Sequence, residues 1–140
     1  MDPKYIVGIP EIDAQHEEIT ELVKSLQEVI ADKDQWSLIH PTLKRLHHLL
    51  VTHFAYEESF MAMINSADLP QHRKMHKGML KLFGDYTVHP PAPGDYEYLG
   101  KLVREKVLGH VMEHDVSMAE SVRRYLGGYT TPALNVPGKK

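Results

Sequence analysis

The segment Leu46–Glu58 reads LHHLLVTHFAYEE, inside a longer run where Ile39, Leu43, Leu46, Leu50, Phe54, Met61 and Ile64 return at helical steps. That period puts all of them on one face of an α-helix. His53 and Glu57 are four residues apart, so they stack on the same face, and an imidazole and a carboxylate are carried into the apolar interior together. The helix is expected to follow the polar stretch Asp32–Gln35 and to end near Asn65, with Pro41 tolerated in its first turn.

The same pattern recurs on both sides. Upstream, Ile12, Ile19, Leu22, Val23, Leu26 and Ile30 predict a helix from about Asp13, in the N-cap position, to Ala31, and His16 continues its stripe. Downstream, Met75, Met79, Leu80 and Phe83 share a face between Pro70 and Phe83, with Gly84 as the expected end, and His72 and His76 form a second four-residue pair there. The Pro-rich stretch His89–Gly94 cannot be helical. A last helix is expected from about Asp95 to Leu126, stopped by Gly127 and Gly128, with His110 beside Val107 and Val111.

Four amphipathic helices with moderate connections, and no β-alternation, predict an all-α fold, an antiparallel up-down-up-down four-helix bundle over residues 1–128. Residues 129–140, with Pro132 and Pro137, are expected to form an extended or disordered tail, and Tyr129, Leu134 and Val136 give it some capacity to dock on a protein partner. At 140 residues and 42% hydrophobic composition, the chain suits one domain with one core.

Composition narrows the chemistry. A net charge of −3 with scattered Lys and Arg argues against a nucleic-acid partner. The absence of a signal-like start or a long apolar run predicts no membrane span and a cytoplasmic protein. With no cysteine, disulfides, iron–sulfur clusters and thiolate metal sites are excluded, so any metal must be held by nitrogen and oxygen.

Ten histidines supply nitrogen donors, and their spacing decides which of them face the core. His16, His53, Glu57, His72, His76, His110 and Asp115 all point toward one core, with every helix contributing. Asp115 follows His110 by five residues, about 140° around an ideal helix, and a π-bulge would bring the two together. Burying this many polar groups without an ion would cost several kcal/mol each, against roughly 5–15 kcal/mol of total domain stability.

Seven donors exceed one octahedral ion, whereas two bridging carboxylates would serve two ions. If three histidines and the bridges complete one ion, the other keeps an open position. Mixed imidazole and carboxylate donors favour iron over calcium or tetrahedral zinc. His114 lies next to Asp115 and is set aside as a ligand, while His40, His47, His48 and His89 are expected at the surface. The methionines are read as core filling.

The four motifs His16, His53-Phe-Ala-Tyr-Glu57, His72-Arg-Lys-Met-His76 and His110-Val-Met-Glu-His-Asp115 resemble those of the hemerythrin family. Gly8-Ile9, Ile12–His16 and Thr52–Met61 extend the similarity to about residues 6–126. The resemblance implies two non-haem iron ions joined by an oxo or hydroxo group and by Glu57 and Asp115. It assigns His72, His76 and His110 to one ion and His16 and His53 to the other, five-coordinate one. The implied function is reversible binding of dioxygen, or of small anions, at the open position, with no catalytic residue and Val107 and Val111 as an apolar wall. A di-iron enzyme that activates oxygen or peroxide, or an oxygen or redox sensor, is the alternative. Ferritin-like enzymes use Glu-x-x-His pairs, and none occurs here.

Overall fold

A computed structural model describes residues 3–31 and 36–127, excluding the side chains of Lys4, Pro93, Val111 and Met112. The expected polar stretch Asp32–Gln35 and the tail from residue 129 lie outside the described residues. Three helices, α1 (Pro10–Ala31), α2 (Trp36–Met63) and α3 (Leu69–Val88), are followed by a fourth rod. This rod begins as α4 (Tyr96–Val103), passes through π-helical turns at Arg104–Leu108 and Val111–Asp115, and finishes as α5 (Val116–Tyr125). The dihedrals at each junction are right-handed helical, so it runs without a break. No strand occurs among the described residues, and α1 packs on α2 and α4, while α2 packs on α3 and α5. The architecture is the expected all-α four-helix bundle.

Three boundaries differ from expectation, each for a local reason. Helix α1 starts at Pro10, whose missing N–H costs nothing in a first turn. Asp13 is therefore not its N-cap. Instead its carboxylate reaches back to accept from the backbone N–H groups of Val7 (2.7 Å) and Gly8 (3.2 Å). Gly8 sits at φ 91°, where a side chain would be strained, and the turn is closed by Arg123 donating to the Val7 carbonyl. Asp13→Ala is expected to cost about 1–2 kcal/mol in chemical denaturation, because two partly buried N–H groups lose a charged acceptor.

Helix α2 ends two residues earlier than Asn65, which adopts φ 53°. Helix α3 runs on past Gly84 to Val88, and Gly84 is a packing residue: a Cβ there would lie 3.2 Å from His47 Nε2. His47 and His40, expected at the surface, are half-buried and join α2 to α3 through the carbonyls of Leu80 (3.0 Å) and Thr87 (2.9 Å). His48 and His89 are exposed, as expected. Among the methionines, Met61, Met79 and Met118 are buried, Met75 is half-buried and Met63 is exposed.

The core is in two parts. The larger contains Ile19, Leu26, Leu43, Leu50, Phe54, Phe83 and Leu99; the smaller contains Val7, Ile9, Ile12, Met61, Met118 and Val122. Along α1 the change from one to the other falls between Ile12 and Ile19, and along the fourth rod between Val107 and Met118. His16, His110 and Asp115 occupy that gap. The bundle therefore carries a buried polar layer between two apolar ones.

Candidate metal centre

All seven candidate ligands are buried: Glu57, Asp115 and His16 are 0% exposed and His72, the most exposed of the set, is 8%. Each reaches the layer by its place on a helix. His16 lies one turn before Ile19 on α1, and His53 and Glu57 flank the core residue Phe54 on α2. His72 and His76 project from α3, their rings 4.8 Å apart and nearly perpendicular. Phe54 stacks flat on His76 at 3.9 Å and meets His110 edge-on at 5.2 Å, so both imidazole planes are fixed by packing.

The fourth rod resolves the five-residue spacing of His110 and Asp115. The turn Val111–Asp115 is π-helical, and an i to i+5 hydrogen-bond register returns the fifth residue to the face of the first. His110 Nε2 lies 3.1 Å from Asp115 Oδ1 as a result.

Each carboxylate divides its two oxygens between the same two sets of histidines. Asp115 Oδ2 faces His16 Nε2 at 2.6 Å and His53 Nε2 at 2.7 Å, while Oδ1 faces His110. Glu57 Oε1 faces His76 Nε2 at 2.9 Å, His72 Nε2 at 3.2 Å and His110 Nε2 at 3.4 Å, while Oε2 faces His53 Nε2 at 3.9 Å. Two overlapping groups result, Glu57 with His72, His76 and His110, and His53 with Glu57, His110 and Asp115, each with ligand atoms within 4.8 Å of one another.

The outer ring nitrogens show what this arrangement requires. His16 Nδ1 donates to the Tyr5 carbonyl, His53 Nδ1 to Gln15 Oε1 and His76 Nδ1 to Glu58 Oε2, all at 2.8 Å. With the proton on Nδ1, a neutral ring turns the lone pair of Nε2 inward. Those lone pairs then meet carboxylate oxygens, which are acceptors only. Both oxygens of Glu57, Asp115 Oδ1 and His72 Nε2 are buried with no hydrogen-bond partner, and His76 Nε2 and His110 Nε2 approach to 3.3 Å. Converging acceptors with outward N–H groups fit a bound cation, with outer partners that orient the rings.

Without a cation, protons take its place. Against burial, which lowers it, contacts with Asp115 and Glu57 push His110 up to about 9, and Asp115 likewise raises His16. Burial and Asp115 work to raise Glu57, but His110 and His72 hold it below its usual value. Burial also opposes ionisation of Asp115, yet Glu57, His110, His16 and His53 hold it well below the carboxylate range. The layer thus keeps its carboxylates ionised and demands positive charge between them.

Three residues escaped the sequence reading. Gln15 and Glu58 supply outer partners from positions adjacent to candidate ligands in the chain, and Tyr5 supplies one from its backbone. His114 is no bystander either. Half-buried, it stacks on His110 at 5.1 Å and meets His72 edge-on at 5.5 Å, forming with Met75 and Glu113 the wall between cavities of about 420 and 440 Å³. Burial, then the charges of His110 and His72, lower its pKa. Val107 belongs to the larger core cluster, and the side chain of Val111 lies outside the described residues.

Comparison with known proteins agrees with this geometry. Residues 7–120 match the family model described as the hemerythrin HHE cation binding domain. The chain is 26% identical over 117 residues to a bacteriohemerythrin of Pseudomonas aeruginosa (strain LESB58), covering 83% of this chain and 76% of the relative. A bacteriohemerythrin of Pseudomonas paraeruginosa shows the same identity and coverage. One from Stenotrophomonas maltophilia is 23% identical over 124 residues, covering 88% and 80%. No described helix is long and apolar enough to cross a membrane.

Proposed function

Because this chain belongs to the hemerythrin family, with its cation-binding HHE domain, we propose that it binds dioxygen reversibly at a pair of non-haem iron ions. The observation that carries this reading is the division of each carboxylate between two histidine groups, the arrangement two neighbouring ions need and one does not. His72, His76 and His110 would hold one ion and His16 and His53 the other, with Glu57, Asp115 and an oxo or hydroxo group between them. The smaller donor set leaves a position for dioxygen or a small anion. When bound, the iron pair supplies the two electrons that dioxygen takes up.

The residues of this chain orient and exclude. Gln15 and the Tyr5 carbonyl hold the rings of His53 and His16 so that their Nε2 lone pairs point inward. The apolar layers above and below keep bulk water away from the buried carboxylates. Five imidazoles and two carboxylates form a less anionic shell than the carboxylate-rich sites of ferritin-like enzymes, which supports binding over cleavage of the oxygen bond. The metal-binding unit is taken as residues 1–128.

Anaerobic, iron-loaded and reduced protein exposed to dioxygen is expected to form a coloured adduct that repeated evacuation reverses without loss of iron. Irreversible consumption of dioxygen with turnover of an added reductant would replace this reading by that of an oxidase.

A further inference from the structure

We propose that Glu58 is a positioning residue that sets the donor strength of His76 and so the reduction potential of the ion His76 holds, with Arg73 modulating it from the surface. The inference rests on the iron-pair reading and extends it to a residue outside the ligand set.

The outer hydrogen bonds of the histidines are unequal. His16 and His53 donate to neutral acceptors, a backbone carbonyl and an amide oxygen. His110 Nδ1 is buried without a partner. Among the described residues, only His76 donates its outer N–H to a carboxylate, Glu58 Oε2 at 2.8 Å. A charge-assisted hydrogen bond of this kind draws the Nδ1 proton toward the acceptor and makes the ring more imidazolate-like. Its Nε2 becomes a stronger donor, which favours the ferric over the ferrous state. Phe54, stacked within 2° of the His76 plane, prevents the ring from turning away from Glu58.

The other oxygen of Glu58 is engaged from outside. Arg73 Nε lies 3.4 Å from Oε1, with the Arg73 side chain 59% exposed and Glu58 22%. Both border a solvent-facing cleft with Pro70, Lys74, His76 and Lys77. The guanidinium withdraws electron density from the carboxylate and weakens its pull on the His76 proton. Glu58 and Arg73 therefore act on the buried ion with opposite signs.

Anaerobic redox titration of iron-loaded wild type, Glu58→Gln and Arg73→Gln separates this role from a packing role. Glu58→Gln keeps the size of the side chain and an acceptor for Nδ1–H but removes the charge. Its potential is expected to rise and its metal affinity, read by chelator competition, to fall by roughly 10- to 100-fold. Arg73→Gln should move the potential the other way and by less, since its pair is exposed. A Glu58→Gln potential equal to wild type, or both variants shifting in the same direction, overturns the proposal. If Glu58→Gln does not fold, Arg73→Gln decides alone, and an unchanged potential refutes the linkage. Should wild type itself fail to take up two iron ions, it is the iron-pair reading that fails. Cobalt(II) affinity of the same variants then reads the donor strength of His76 directly, and equal affinities would overturn the role of Glu58.

Discussion

Glu57→Ala is expected to bring bound iron from two ions per chain to fewer than one, measured by elemental analysis after anaerobic reconstitution and desalting. Glu57 presents Oε1 to His72, His76 and His110 and Oε2 to His53, so its removal takes a donor from both positions at once. Losing only an outer partner of a ligand typically weakens metal binding by roughly 10- to 100-fold. Loss of a shared inner donor must exceed that. Circular dichroism should show that the variant keeps its helices, because the apolar clusters on both sides of the layer are untouched. Full iron occupancy in a folded Glu57→Ala protein would remove the bridging role.

Removing the metal from the unaltered protein should have the largest effect on stability. The layer sets two buried ionised carboxylates among five buried imidazoles, and without a cation it must take up protons that burial disfavours. A ligand present at about 1,000 times its dissociation constant stabilises the folded state by about 4 kcal/mol. For a domain of this size that corresponds to a loss of roughly 10–20 °C in Tm on complete chelation. Scanning calorimetry of loaded and chelated protein measures it. A chelated protein that melts at the loaded temperature would mean that the layer is satisfied without an ion.

What could be read in the sequence follows the helical period. The α2 stripe from Ile39 to Met61 made its burial legible, and the four-residue pairs His53/Glu57 and His72/His76 inherited an inward direction from it. The five-residue step from His110 to Asp115 broke the period, and a π-helical turn is what that break encodes. Boundaries set by contacts between helices were not legible. Gly84 looks like a stop signal until His47 of α2 is seen packed against it, and α3 continues to Val88, just before His89 and the Pro90–Pro91 pair. Asp13 looks like a cap for its own helix, but its acceptors face the preceding turn.

The outer partners were hidden for different reasons. The Tyr5 carbonyl carries no residue signature, since any residue there has one. Glu58 and Gln15 sit beside candidate ligands in the chain, where a helix turns neighbours about 100° apart, so only the crossing of α3 over α2 and of α1 over α2 shows what they meet. Two shared carboxylates were expected from the donor count and from the family motifs; which oxygen of Glu57 and Asp115 faces which histidine depends on side-chain rotamers and is read only from the structure.

Iron stoichiometry after anaerobic reconstitution with excess ferrous ion, followed by desalting and elemental analysis against quantitative amino-acid analysis, tests that central claim most directly. The account predicts two iron ions per chain. A saturated value of one or fewer would contradict it, because a single ion cannot engage both oxygens of both carboxylates and all five imidazoles.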